Sequence, residues 1–189
     1  MKYPNNLNKD SLVGVTALSS GASDCKEEMK QALENLKKYF RVTYTQDIYG
    51  DAKVSGTKEE RIKQLNELLE LAINSIIISR GGDYLCDTLD SINFQKIYDK
   101  GLLVGGMSDP TSLLYILTTK YDLATIYGYN GKGFEGELDK SKLNNIMGKG
   151  KAPAANGPSN KEGVKSGIHH DFRGTEYHNT IHSNNDPTK

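Results

Sequence analysis

The sequence predicts an α/β fold, a doubly wound parallel sheet with helices on both faces. Five short apolar runs alternate with stretches of helical periodicity. Parallel neighbours need a crossover connection between strands, which such alternation supplies. Three of the runs also exit into polar, small-residue segments: "SSG" (19–21), "RGGD" (80–83) and "GGMSD" (105–109). Open parallel sheets bind ligands beyond the carboxyl ends of their strands, so these exits are expected to face one crevice.

The first run, "LVGVTAL" (12–18), is rich in β-branched residues and bounded by polar "NKDS" and "SSGASD", as suits a strand covered on both faces. A helix is expected next, capped by Ser23 or Asp24, with Glu27 and Glu28 at its positive end and Met29, Leu33, Leu36 and Phe40 on its buried face. "RVTYTQ" (41–46) reads as the second strand. A glycine-containing loop then leads to a helix that Thr57 and Glu60 open with a capping box, its stripe being Ile62, Leu65, Leu68, Leu69 and Ala72. "SIIISRGG" is the third strand, and "DYLCDTLDSINFQKIYDKG" reads as short helices. "LLVGGM" is the fourth strand, "PTSLLYILTTKY" a helix with Pro110 in its first turn, and "ATIYGY" the fifth strand.

These elements place one domain in residues 1–147. From 148 onward the chain has no Leu and only four residues of Ile, Val and Phe in 42, so 148–189 is expected to be a mostly unstructured polar tail. Lys plus Arg and Asp plus Glu both number 24, which gives no global charge for a nucleic-acid or membrane partner. No apolar run approaches the roughly 20 residues that span a bilayer. The start, "MKYPNNLNKDSL", lacks the hydrophobic segment of a secretory signal, and a cytoplasmic protein is expected. Cys25 and Cys86 form no CxxC pair and read as small buried or half-buried apolar residues. His169, His170, His178 and His182 all lie in the polar tail without thiolates near them, so no metal site is expected.

Ser108 admits two readings. Between a strand and a helix, after Gly105 and Gly106, a tight turn lifts its hydroxyl above the sheet beside the first N–H groups of the helix, where an oxyanion would be stabilised. The other reading makes it the cap of that helix. Gly81 and Gly82 similarly either open the backbone to a ligand or form an ordinary strand-to-helix turn. Asp83 and Asp109 either orient a substrate amine or cap helices.

Taken together, "DSLVGVTALSSG", "SGTKEERIKQLNELL", "IIISRGGDYLCDTLDSINF" and "GGMSDPTSLLYILTTKYDLATIYG" resemble, in order, four motifs of the LD-carboxypeptidases, or S66 serine peptidases, a family that includes the microcin C self-immunity peptidases. The resemblance covers about residues 7 to 137. It implies Ser108 as nucleophile, the main-chain N–H groups of Gly82 and Asp109 as oxyanion donors, substrate contacts at Gly81 and Asp83, and no cofactor. Family members remove a carboxy-terminal D-amino acid from muropeptides at an L,D bond, or cleave peptidyl conjugates such as processed microcin C. The implied partner is therefore a peptide or muropeptide, with a homodimer or a separate carboxy-terminal domain completing the assembly.

Two features depart from the family. Many members read G-G-Y-G where this chain reads "GGDY". The family's triad glutamate and histidine come from a carboxy-terminal domain with no recognisable counterpart here beyond a faint "FRGTEY". The expectation is a nucleophile domain with an incomplete triad, and the alternative is a non-catalytic binding domain or a truncated product of such an enzyme.

Overall fold

The computed structural model describes residues 1–136. In chain order the elements are β1 (Leu12–Thr16), α1 (Lys26–Lys37), β2 (Arg41–Tyr44), α2 (Lys58–Glu70), β3 (Ser75–Ile78), α3 (Phe94–Lys100), β4 (Leu103–Gly106), α4 (Thr111–Lys120) and β5 (Ile126–Tyr127), with 3-10 turns at Gln46–Tyr49, Leu85–Thr88 and Gly131–Phe134. The strands lie in the order β2-β1-β3-β4-β5, and every neighbouring pair is parallel. The order reverses between β1 and β3, which opens a crevice at their carboxyl ends.

Successive side chains along the strands separate into two cores, as period-two alternation requires. Val13, Val15, Ile77 and Leu103 pack with Met29, Leu33 and Leu36 of α1 and with Phe134. Ile76, Ile78 and Val104 pack with Leu65, Leu68 and Leu69 of α2, Phe94 and Ile97 of α3, and Leu113, Leu114 and Leu117 of α4. Helices therefore cover both faces, and the expected doubly wound sheet is what the chain forms.

Local chemistry follows the sequence in some places and corrects it in others. The capping box on α2 is present: Glu60 N–H donates to Thr57 Oγ1 at 3.2 Å, and Thr57 N–H donates to Glu60 Oε2 at 2.8 Å. Neither Ser23 nor Asp24 caps α1; Cys25 holds the cap position without a side-chain bond, because the Asp24 carboxylate is taken by Arg80. On α2 the buried face holds Arg61 with Leu65, Leu68 and Leu69, whereas Ala72 falls beyond the helix and is exposed. Cys25 is buried as expected, but Cys86 is exposed, since its 3-10 turn points Leu85 and Thr88 inward instead.

The strands are shorter than their apolar runs. Ala17 and Leu18 are fully buried yet lie past the end of β1. The boundary expected at 147, the tail from 148 and the four histidines lie outside the described residues. Among the described residues no helix is long and apolar enough to cross a membrane.

Candidate functional site

Three strand exits converge at the crevice. Ser20 N–H donates to Gly81 O at 3.2 Å, and Tyr84 N–H donates to Ser19 Oγ at 3.1 Å, which joins the exit of β1 to that of β3. Leu85 N–H donates to Asp109 Oδ2 at 2.9 Å, which joins the exit of β3 to that of β4.

Ser108 stands at the centre of this junction, exposed, with a φ of 70°. A left-handed backbone costs a residue with a β-carbon about 1–2 kcal/mol, so its surroundings must hold it there. Asn130 does so from the loop after β5: Met107 N–H donates to its Oδ1 at 2.8 Å, and its Nδ2 donates to Met107 O at 3.0 Å. On the other side Thr111 N–H donates to Ser108 O at 2.8 Å. The capping alternative fails here. Helix α4 opens with Pro110 at the cap position and no side-chain cap bond, so the Ser108 hydroxyl is not tied to the helix.

The glycine turn runs directly past that hydroxyl. A β-carbon on Gly81 would lie 3.1 Å from Ser108 Cβ and 3.3 Å from its Oγ. Gly82 has a φ of +147°, and a β-carbon there would fall 2.3 Å from Ser19 Oγ and 2.5 Å from Ser20 Oγ. Among the described residues the N–H groups of Gly82 and Asp109 donate to no acceptor. Two main-chain donors are thus left unused beside an exposed serine. Asp83 is exposed on the rim, whereas the Asp109 carboxylate is committed to the 3-10 turn through Leu85 N–H.

Charged groups brace the junction from beneath. Arg80 donates to Gly21 O at 2.6 Å and pairs with Asp24, whose carboxyl it holds below the usual carboxylate range. Asp47 is 4% exposed; burial pushes its carboxyl up to about 6, against the hydrogen bonds it accepts from Thr45 Oγ1 and Ala17 N–H and the nearby Arg61 charge. No histidine occurs in residues 1–136. Among the described residues no group of three or more His, Cys, Asp or Glu is placed to hold a metal ion.

The expected residues Gly81, Gly82, Asp83, Ser108 and Asp109 thus meet at one place. Sequence reasoning missed Asn130, Arg61 and Asp47, and it placed Ser19 at the crevice only as part of the "SSG" exit. Arg61 did carry a signal: its spacing to Leu65 and Leu68 puts it on the buried face of α2.

Residues 13–128 match the LD-carboxypeptidase N-terminal domain of the S66 peptidases. No curated protein matches the chain. Among solved structures, the microcin C7 self immunity protein MccF in complex with aspartyl sulfamoyl adenosine superposes with a TM-score of 0.69 at 23% identity, over 76% of this chain and 46% of that one. The MccF-like protein from Bacillus anthracis str. Ames gives 0.69 at 22% identity, over 78% and 46%. The muramoyltetrapeptide carboxypeptidase from Oxalobacter formigenes gives 0.61 at 24% identity, over 71% and 46%. At these identities the likeness is one of fold, and the chain spans about half the length of each of these proteins. The match over residues 13–128 carries the assignment further: this chain belongs to the S66 peptidase family.

Proposed function

We propose that the chain supplies the nucleophile and oxyanion donors of a serine peptidase of the LD-carboxypeptidase type. The substrate is a carboxy-terminal L,D-peptide bond of a muropeptide, or a related peptidyl conjugate. MccF was solved with aspartyl sulfamoyl adenosine, which supports the conjugate as the second substrate class. The observation that carries the reading is Ser108 in a left-handed turn, its hydroxyl against Gly81 and free of the helix it precedes.

In this mechanism Ser108 Oγ attacks the carbonyl carbon, and its proton passes to a base. Negative charge gathers on the carbonyl oxygen, where the unused N–H groups of Gly82 and Asp109 stabilise it; one such donor is typically worth about 100- to 1000-fold in rate. The C–N bond then breaks, the amine leaves with the proton, and water hydrolyses the acyl-serine. Residues 1–136 contain no histidine, so an imidazole base comes from outside them: from His169, His170, His178 or His182 of this chain or a second copy, or from a carboxy-terminal domain. The same fact favours a second reading, a domain that binds the peptide without cleaving it.

A fluorophosphonate probe separates the two. The peptidase reading expects slow labelling of Ser108 in this chain, faster labelling when the carboxy-terminal domain of a family member is added, and none in Ser108→Ala. Absence of labelling under both conditions favours the binding domain, and unchanged labelling of Ser108→Ala removes Ser108 as nucleophile.

A further inference from the structure

We infer that Arg61, on the far side of the crevice wall in α2, is a positioning residue that sets the direction of the Gly82 N–H group; this rests on the oxyanion role proposed above. Arg61 is 2% exposed. Its Nη1 donates to Leu18 O at 2.5 Å and to Tyr84 O at 2.8 Å. Those two carbonyls belong to different strand exits, the first after β1 and the second after β3.

The connection closes a ring. From Tyr84 the path runs through its N–H to Ser19 Oγ at 3.1 Å, along one peptide to Leu18 O, and back to Arg61. Gly82 sits two residues before Tyr84, packed so tightly on Ser19 and Ser20 that a β-carbon has no room. The peptide that carries the Gly82 N–H is held through its own carbonyl, Gly81 O, by Ser20 N–H at 3.2 Å, so the bridge that ties Tyr84 to the Leu18–Ser20 segment braces that peptide from both ends.

A buried guanidinium is a costly way to fill a core position, because its charge has left water. Among the described residues Arg61 forms no ion pair, and Asp47 is near enough only for its charge to be felt. Its neighbours on the buried face, Leu65 and Leu68, fill their space as leucines. What a leucine cannot do is bridge two carbonyls across two loops. Lysine reaches one bond less far than Nη1, so Arg61→Lys keeps the charge and loosens the bridge.

The test measures amide exchange and Ser108 labelling on the full chain, in Arg61→Lys and in the uncharged, shorter Arg61→Met. The inactivation is an attack of Ser108 Oγ on phosphorus, forming the O–P bond and breaking P–F, with fluoride released and the proton passed to solvent. The expected result in Arg61→Lys is faster exchange confined to Ser20 and Tyr84, with Ile77 and Val104 protected as before, and kinact reduced about ten-fold at unchanged KI. A residue that merely supports the core would instead lower protection throughout the sheet. That outcome, failure of both variants to fold, or unchanged loop exchange and kinact in Arg61→Lys overturns the inference. If the unsubstituted chain is labelled neither alone nor with the added carboxy-terminal domain, the proposed function falls, and the exchange result by itself then decides the role of Arg61: faster exchange confined to Ser20 and Tyr84 supports it, and unchanged or sheet-wide exchange overturns it.

Discussion

Gly82→Ala and Gly128→Ala form a matched pair that isolates what crowding at the glycine turn is worth. The two glycines share nearly the same φ, +147° at Gly82 and +148° at Gly128. A β-carbon is strained at either φ, at about 1–3 kcal/mol for a sparsely populated region. At Gly128 that is the whole cost, since nothing lies within 4 Å of the added carbon. At Gly82 the carbon meets Ser19 Oγ at 2.3 Å, Ser20 Oγ at 2.5 Å and Ser20 N at 3.1 Å.

Hydroxyls usually swing aside cheaply, but these two are engaged. Ser19 Oγ accepts from Tyr84 N–H at 3.1 Å, and Ser20 Oγ donates to Lys53 O at 3.1 Å. Moving both away forfeits two hydrogen bonds at about 1 kcal/mol each. Gly82→Ala should therefore lose about 2 kcal/mol more than Gly128→Ala, read as a difference in urea midpoint at constant m. It should also slow Ser108 labelling, which Gly128→Ala should leave nearly intact. Equal losses of stability would show that the serines yield freely, and the argument for a rigid turn would fail.

Three further outcomes are expected. Ser108→Gly should be more stable than Ser108→Ala by about 1 kcal/mol in denaturant unfolding, because glycine accepts the φ of 70° without strain while alanine retains it. Asn130→Ala removes both bonds to Met107 and should cost about 1–2 kcal/mol, with slower labelling as the elbow relaxes. Asp47 titrates at about 6 in the folded chain against 3.8 as its ordinary value, so the folded state holds the extra proton between those pH values. Its contribution to stability is greatest below pH 3.8 and falls as pH rises through about 6, by up to about 3 kcal/mol, and the difference between wild type and Asp47→Asn should trace that fall.

The parallel sheet was legible because β-branched runs and helical stripes report burial directly. Burial and strand pairing are not the same thing, which is why "LVGVTAL" reads longer than β1: Ala17 and Leu18 are fully buried, but they have left the ladder to form the crevice wall. The site residues were legible through glycines and a serine at strand exits. Arg61 escaped because a stripe was sought among apolar residues only, and a charge on the buried face breaks that pattern. Cys86 was misread since a 3-10 turn of four residues has too short a period to show which way a lone thiol faces.

The choice between elbow and cap at Ser108 lies in a single backbone dihedral that no local spacing encodes. A capping serine takes an extended φ, and its oxygen accepts an N–H of the first turn, relieving strain and satisfying a donor together. Ser108 does neither: its φ is 70°, and α4 opens uncapped. The restraint comes from Asn130, 22 positions along the chain on the far side of β5, which holds both polar groups of Met107. A side chain from another strand exit thus keeps the serine where its own stability would not place it. That arrangement leaves an exposed hydroxyl beside two unused donors, which on the proposed reading serves the tetrahedral oxyanion. What residues 1–136 do not hold is an imidazole to ionise the serine. The limiting step of labelling should then be proton removal, and an added carboxy-terminal domain should raise kinact far more than it lowers KI. A gain confined to KI would mean that the added domain merely helps to bind the probe, and that the serine already has its base.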